Sequence, residues 1–423
     1  MRLAHIAIDL SPLRDVPAFR IVFTARLVSL FGIGFTMVAL PLQVYAITGS
    51  SFMVATVAAA AGVSTFCGTL AGGLLADRMD RRTLMVIGRA AGTAAFAALA
   101  VNCAVPGGPY LAVIYGAAVV NGLIGAFSAV ALQAAAPGLV GKDRLAATGA
   151  LIALTTQLGS VLAPALGGVI IAAWGFGVNY TVTAAASALT TVVVARLPPL
   201  RPGAGDGKAP IAAAIRSGLG FAARHRVVGP LLLLGFAQLL FATPQVLIPQ
   251  FTAEVLGGGE GTAGLLYTAP AVGAVLGSLT SGWTGRVHYH GALLPVVVAV
   301  CGTAVAGFGL SPWPAAAFAV LVVLGFAEVT EEILRYSLLQ AHTPDPLRGR
   351  VNSLWTAQAT VGTSLGAMTL GALAPLVGPV AAIVAGGALT VASAAAVAAL
   401  FPGLRAAWPS GEAAAGAGEP ERR

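Results

Sequence analysis

The sequence predicts an all-α polytopic membrane protein, with twelve transmembrane helices in two six-helix parallel repeats. Three observations carry that expectation. First, the 423 residues are 57% hydrophobic and only 9% charged, with a mean hydropathy of +0.89, whereas soluble chains carry roughly 25% charged residues. Second, apolar runs long enough to cross a bilayer, about 20 residues each, recur along the chain. Third, lysine and arginine gather in every second connection between those runs. Helix is the required form, because an open sheet leaves backbone groups unsatisfied in lipid, and the alternating polarity of barrel strands is not seen.

In order, the expected spans cover residues 18–46, 51–76, 83–104, 110–137, 145–173, 178–197, 227–255, 261–285, 291–310, 314–341, 349–375 and 379–402. Residues 1–17 include Asp9, Arg14 and Asp15 before any long apolar run, so no cleavable signal is expected. The second span closes with Gly68 to Arg82, GTLAGGLLADRMDRR. Small residues at Gly68, Gly72, Gly73 and Ala76 let a neighbouring helix approach closely, and the charges after them mark the exit into water. The pattern returns about 209 residues on, where Gly277 answers Gly68, Leu279 answers Leu70, Gly282 answers Gly73 and Arg286 closes the run. Leu132-Gln133-Ala134 with Pro137 likewise returns as Leu339-Gln340-Ala341 with Pro344.

The even connections carry Arg78, Arg81 and Arg82, then Lys142 and Arg144, Arg196 to Arg226, Arg286, and Arg348 with Arg350. The odd ones, near Thr48, Pro106, Gly175, Gly258, Pro312 and Gly378, carry none. This asymmetry predicts a cell inner (plasma) membrane protein with both termini in the cytoplasm. Residues 198–226, rich in proline and glycine, read as a cytoplasmic linker between an N-terminal half, 1–197, and a C-terminal half, 227–402. Within the linker, Ile211 to Arg226 reads as an amphipathic helix on the membrane surface, and residues 403–423 as a disordered cytoplasmic tail.

Several function classes lose support. The net charge of +8 is distributed between apolar runs and forms no nucleic-acid patch. Cys67, Cys103 and Cys301 show no paired spacing, so neither a metal site nor a disulfide is expected. Gly257-Gly258-Gly259 lacks the Lys-Ser/Thr of a phosphate loop. With no nucleophile–base pair visible, neither an enzyme nor a cofactor is expected. All five histidines, His5, His225, His288, His290 and His342, fall towards the cytoplasmic side and make poor midplane proton carriers.

The candidate working residues are charged groups within spans and small-residue faces. Arg26 lies in the cytoplasmic third of span one and Arg89 in span three, where an arginine faces a protein interior or snorkels to headgroups. Asn121, Ser128, Gln43, Gln250 and Gln358 act either as interhelical glue or as the wall of a polar cavity. In span ten, Glu328, Glu332 and Arg335 fall on one face, with Glu331 within a turn of Arg335. One arginine neutralises one carboxylate, so the surplus acids are candidates for proton uptake or substrate binding. The alternative is a structural network with Arg335 or Arg26. Asp77 is expected either to pair with basic residues in one transport state or to be a solvated topology signal. Gly159, Ala163 and Gly167 repeat at i, i+4 and i+8, and Pro164 favours a bend.

Gly73-Leu74-Leu75-Ala76-Asp77-Arg78 followed by Arg81-Arg82 resembles the loop motif of major facilitator transporters, with Asp80 where that family has glycine. Gly159 to Gly168 resembles the antiporter motif of their fifth span, with Ala163 for its central glycine. Pro17-Ala18-Phe19-Arg20, Ala25-Arg26 and Leu354-Trp355-Thr356-Ala357-Gln358 are similar to the enterobactin exporter group, and the likeness runs from about Ser11 to span twelve. Ile33 stands where the related macrolide and drug efflux group has aspartate, and the charged span ten departs from the exporters. The resemblance implies the major facilitator fold and a secondary exporter of a siderophore or related metabolite, working by alternating access and coupled to protons. A multidrug or macrolide efflux antiporter is the rival, and a non-transporting membrane sensor the reading of another class. It also implies gating roles for Gly73, Asp77, Arg78, Arg81, Arg82, Gly159, Pro164 and Gly168. Arg26, Glu328, Glu331, Glu332 and Arg335 are the candidates for substrate or proton coupling. The expected partners are a small molecule, the lipid bilayer and protons, with no nucleic acid, and the expected state is a monomer.

Overall fold

The computed structural model describes residues 11–139, 145–200, 211–287 and 289–407. Among these residues the chain is all-α and contains no strand. The helices are α1 (Ser11–Asp15), α2 (Pro17–Thr48), α3 (Ser51–Ala76), α4 (Arg81–Ala104), α5 (Leu111–Leu123), α6 (Gly125–Leu139), α7 (Leu145–Ala195) and α8 (Ile211–Arg224). They continue with α9 (Val228–Phe241), α10 (Ile248–Glu254), α11 (Glu260–Thr280), α12 (His290–Gly309), α13 (Pro314–Ala341), α14 (Asp345–Val377), α15 (Pro379–Leu400) and α16 (Pro402–Arg405). Ten helical runs among the described residues are long and apolar enough to cross a membrane.

Where helices begin and end, local chemistry explains it. Gly49, with a φ of 60°, closes α2 by donating its N–H to the Tyr45 carbonyl. Ser50 then opens α3, its hydroxyl accepting the Met53 N–H at 3.4 Å. Asp80 does the same for α4, accepting the Arg82 N–H at 2.9 Å.

Two expected spans share one run that breaks between them, and spans four and seven each divide. Spans five and six form the 51-residue α7, which at about 1.5 Å per residue is more than twice the roughly 30 Å of a hydrocarbon core. It breaks at Gly175, where φ is 81° and ψ 175°, a conformation that glycine alone adopts readily. The bend expected at Pro164 is not where the dihedrals break, since the backbone stays helical through that residue. A proline costs its helix one N–H donor, and surrounding helices can absorb that loss in a membrane protein. The expected seventh span is divided into α9, a 3-10 turn at Pro244–Leu247, and α10. Pro244 and Pro249 remove two donors from a continuous ladder there.

The residues gather into two compact units. The first comprises Met1–Asp206 with Ile248–Thr268, and the second Gly207–Leu247 with Ala269–Arg423. In the first, Ala25, Ala76, Leu84, Met85, Leu132, Val194 and Leu197 pack into one core that underlies the α3–α4 loop. In the second, Leu231, Leu234, Val298, Leu321 and Leu324 are fully buried. Lipid tails are as apolar as leucine, so close approach between helices must hold such bundles together. Gly68 of α3 lies against the Leu123 carbonyl, leaving no room for a Cβ. Its counterpart Gly277 of α11 lies against Phe326 of α13, where a Cβ would sit 3.2 Å from the Phe326 carbonyl oxygen.

Candidate functional site

The α3–α4 loop is anchored to the end of α7. Asp80 Oδ1 accepts the Leu200 N–H at 2.8 Å as well as that of Arg82. The Arg81 N–H donates to the Leu200 carbonyl at 3.0 Å, and Arg82 Nη1 donates to the Leu197 carbonyl at 3.0 Å. An arginine on the last carbonyls of a helix also complements its negative pole. Asp80, a departure from the family glycine, thus both caps α4 and ties down the segment after α7. Asp77 and Arg78 are exposed, and no hydrogen bond or ion pair engages the Asp77 side chain among the described residues. Around Gly73 there is open space for a side chain.

The face expected in span five packs on α2. A Cβ on Gly159 would lie 2.9 Å from Leu30 Cβ, and one on Gly167 would lie 3.1 Å from Phe35 Cα. Between them, Ala163 meets Gly34 of α2 too closely for a second Cβ. The alanine that replaces the motif's glycine is therefore matched by a glycine across the interface. Pro164 is buried. Gly168 faces α11, where it meets Gly264 so closely that a Cβ on it would lie 2.6 Å from Gly264 Cα.

Arg26 and Arg89 both line a cavity of about 360 Å³ inside the first unit, with Ser29, Asn121, Ser128 and Ser187. Arg89 is 6% exposed. Its Nη1 donates to the Ala25 carbonyl at 3.3 Å, to Thr190 Oγ1 at 3.1 Å and to Ser29 Oγ. The sequence reading missed the hydroxyl wall around it. Thr183, Ser187 and Thr190 recur at i, i+4 and i+7 of α7, and that spacing was the available signal. Other polar residues act as glue. Gln43 accepts the Tyr180 hydroxyl at 2.8 Å and donates to Cys103 Sγ at 3.1 Å. Gln250 accepts the Ser51 hydroxyl at 2.5 Å, and Glu254 accepts Tyr45 at 2.6 Å.

In the second unit, α13 brings together Glu331 and Arg335. Glu331 Oε1 lies 2.9 Å from Arg335 Nε, and the two side chains are 2% and 9% exposed. The approach is off the N–H axis, so the contact is an ion pair without an aligned hydrogen bond. The Arg335 guanidinium also stands 4.9 Å from the centre of the Trp355 ring of α14, a cation–π distance. It packs against Gly235 of α9 so closely that a Cβ there would collide with it. Gln358, from the same stretch as Trp355, donates to the Leu232 carbonyl at 2.9 Å. Glu328 is half-buried and Glu332 exposed. Among the described residues Arg335 therefore pairs with Glu331, and not with Glu328 or Glu332 of the expected shared face.

A family model described as "Transmembrane secretion effector" matches residues 7–420. The chain is 34% identical over 372 residues to the enterobactin exporter EntS of Shigella boydii serotype 18, covering 88% of this chain and 89% of that one. The same identity and coverage hold for the enterobactin exporter EntS of Escherichia coli O1:K1 / APEC. A solved POT family transporter in complex with 5-aminolevulinic acid superposes with a TM-score of 0.72 at 12% identity, covering 92% of this chain and 97% of that one. At that identity the likeness is one of fold.

Proposed function

The chain belongs to the transmembrane secretion effector family of major facilitator transporters, and from that premise we propose that it exports a siderophore or related small metabolite. It is a multi-pass membrane transporter and not an enzyme. The observation that carries the substrate reading is the identity of 34% to enterobactin exporters across 88% of the chain. The mode we infer is secondary active export by alternating access, through twelve spans with both termini in the cytoplasm and the protein acting as a monomer. Lysine and arginine bias supports that topology.

The coupling ion in this reading is the proton. It is supported by three acids and one arginine on α13, with Glu331 buried beside Arg335. A proton arriving at Glu331 cancels its attraction to Arg335 and frees that arginine to change partner. Arg26, Glu328 and Glu332 complete the proposed coupling or substrate set. Gly73, Asp77, Arg78, Arg81 and Arg82 in the loop, with Gly159, Pro164 and Gly168 in α7, form the proposed gating set.

The test is transport by the purified protein in sealed proteoliposomes with an imposed pH gradient. Enterobactin should move against its gradient only while the proton gradient stands, and Asp77→Asn should slow it without loss of protein. Movement of an apolar cation in place of enterobactin would sink the siderophore reading in favour of drug efflux.

A further inference from the structure

We propose that the cavity inside the first unit is a binding site for an oxyanion carried on a small organic molecule, held between Arg26 and Arg89. This rests on reading the chain as an exporter of small molecules. The cavity, about 360 Å³, falls in the size range of small-ligand pockets. Two arginines line it, and among the described residues no aspartate or glutamate does. The strongest sign is Arg89. It is 94% buried, given its 6% exposure, and its hydrogen-bond partners among the described residues, Ala25, Ser29 and Thr190, are all uncharged. All three are reached through Nη1, and the buried Nε has no hydrogen-bond partner.

A guanidinium taken out of water and met only by neutral dipoles is costly, and a bound anion relieves that cost. The planar fork of an arginine fits the paired oxygens of a carboxylate or phosphate. Gly88 and Gly92 of α4 line the same cavity; Gly88 is packed against Ser128 with no room for a Cβ, whereas Gly92 is the more open of the two. Asn121 Oδ1 lies 3.3 Å from where a Gly92 Cβ would be. Phe96 supplies an apolar wall for the organic body of the ligand. The shared chemistry is an oxyanion, whose sources are a transported acid or a lipid headgroup phosphate.

The full-length protein in phosphatidylcholine nanodiscs is titrated with benzoate and with its neutral isostere benzamide. Benzoate should bind at least about tenfold more tightly, the scale of one charge-assisted contact. Arg89→Lys should lower benzoate affinity by about tenfold while leaving benzamide unchanged. Asn121→Asp keeps both arginines and places a carboxylate in the cavity, so it should have the same effect even where the arginine variant fails to fold. Equal affinities for the two probes, or unchanged benzoate binding in both variants, overturns the site. Displacement of benzoate by soluble glycerophosphocholine, the headgroup phosphodiester itself, assigns the cavity to lipid phosphate and also overturns it. Selective benzoate binding without enterobactin export refutes the exporter reading alone. Export with unselective binding refutes this site alone.

Discussion

Arg335 shows how one side chain draws its surroundings into register. Glu331, Trp355 and Gly235 come from three helices and meet at a single guanidinium. Removing one partner of a buried ion pair leaves the other charge stranded, at a cost of about 3–5 kcal/mol. Glu331→Gln should therefore lower stability in detergent by roughly 3 kcal/mol, whereas Glu332→Gln, at an exposed position, should stay within about 0.5 kcal/mol. Gly235→Ala should push the guanidinium away from Glu331, so the double variant should lose less than the sum of the single losses. Strict additivity in thermal unfolding would mean that Gly235 and the pair are not coupled. His225, in the connection before α9, supplies a pH signature. Its Nδ1 accepts the N–H groups of Val227 and Val228, each at 3.2 Å. Burial, and then the neighbouring His342, hold its pKa below the usual histidine value. The unfolded chain thus binds that proton more readily, so stability present above about pH 6.5 falls as the pH drops below it. His225→Asn keeps an acceptor and should flatten this slope in unfolding curves between pH 7.5 and 5. An unchanged slope would place its origin elsewhere.

At the scale of elements, the glycines separate into packing positions and open ones, although the sequence writes them alike. Gly168 meets Gly264 backbone to backbone across α7 and α11, while Gly73 near the end of α3 faces open space. Gly168→Val should destabilise by about 1–3 kcal/mol, because neither backbone can give way. Gly73→Ala should instead stabilise by about 0.5–1 kcal/mol through helix propensity. Melting temperatures of the two variants decide this, and a destabilised Gly73→Ala would contradict the open position. Measured beside them, export distinguishes the proposed gating role. A Gly73→Ala protein that is more stable but slower in transport would mean that the other transport state closes on this glycine. The same scale explains the motif departures. Asp80 replaces glycine and works as a cap and a tether. Ala163 replaces glycine and is admitted by Gly34.

At the scale of the whole molecule, the charge asymmetry makes a direct prediction. With Cys67, Cys103 and Cys301 replaced, a cysteine at position 258 should react with an impermeant reagent applied outside intact cells, and one at position 81 should not. The opposite labelling would overturn the proposed orientation. Fold class and most span positions were legible in the sequence, because crossing a bilayer is a one-dimensional requirement of apolar length and flanking charge. Gly175 was legible as a break for the same reason, since no helix of 51 residues fits one crossing. The choice among neighbours was not legible. Glu328, Glu331 and Glu332 all lie within about 60° of Arg335 around an ideal helix, so periodicity admits any of them as its partner. Only the packing of Gly235 and Trp355 against the guanidinium selects Glu331. Likewise, the sequence marked Gln43 and Asn121 alike as polar groups within spans, and tertiary structure alone decided that Gln43 bonds to Tyr180 while Asn121 lines a cavity. Composition determines that a chain enters the membrane, but which side chains meet inside it depends on close contacts between helices that are remote in sequence.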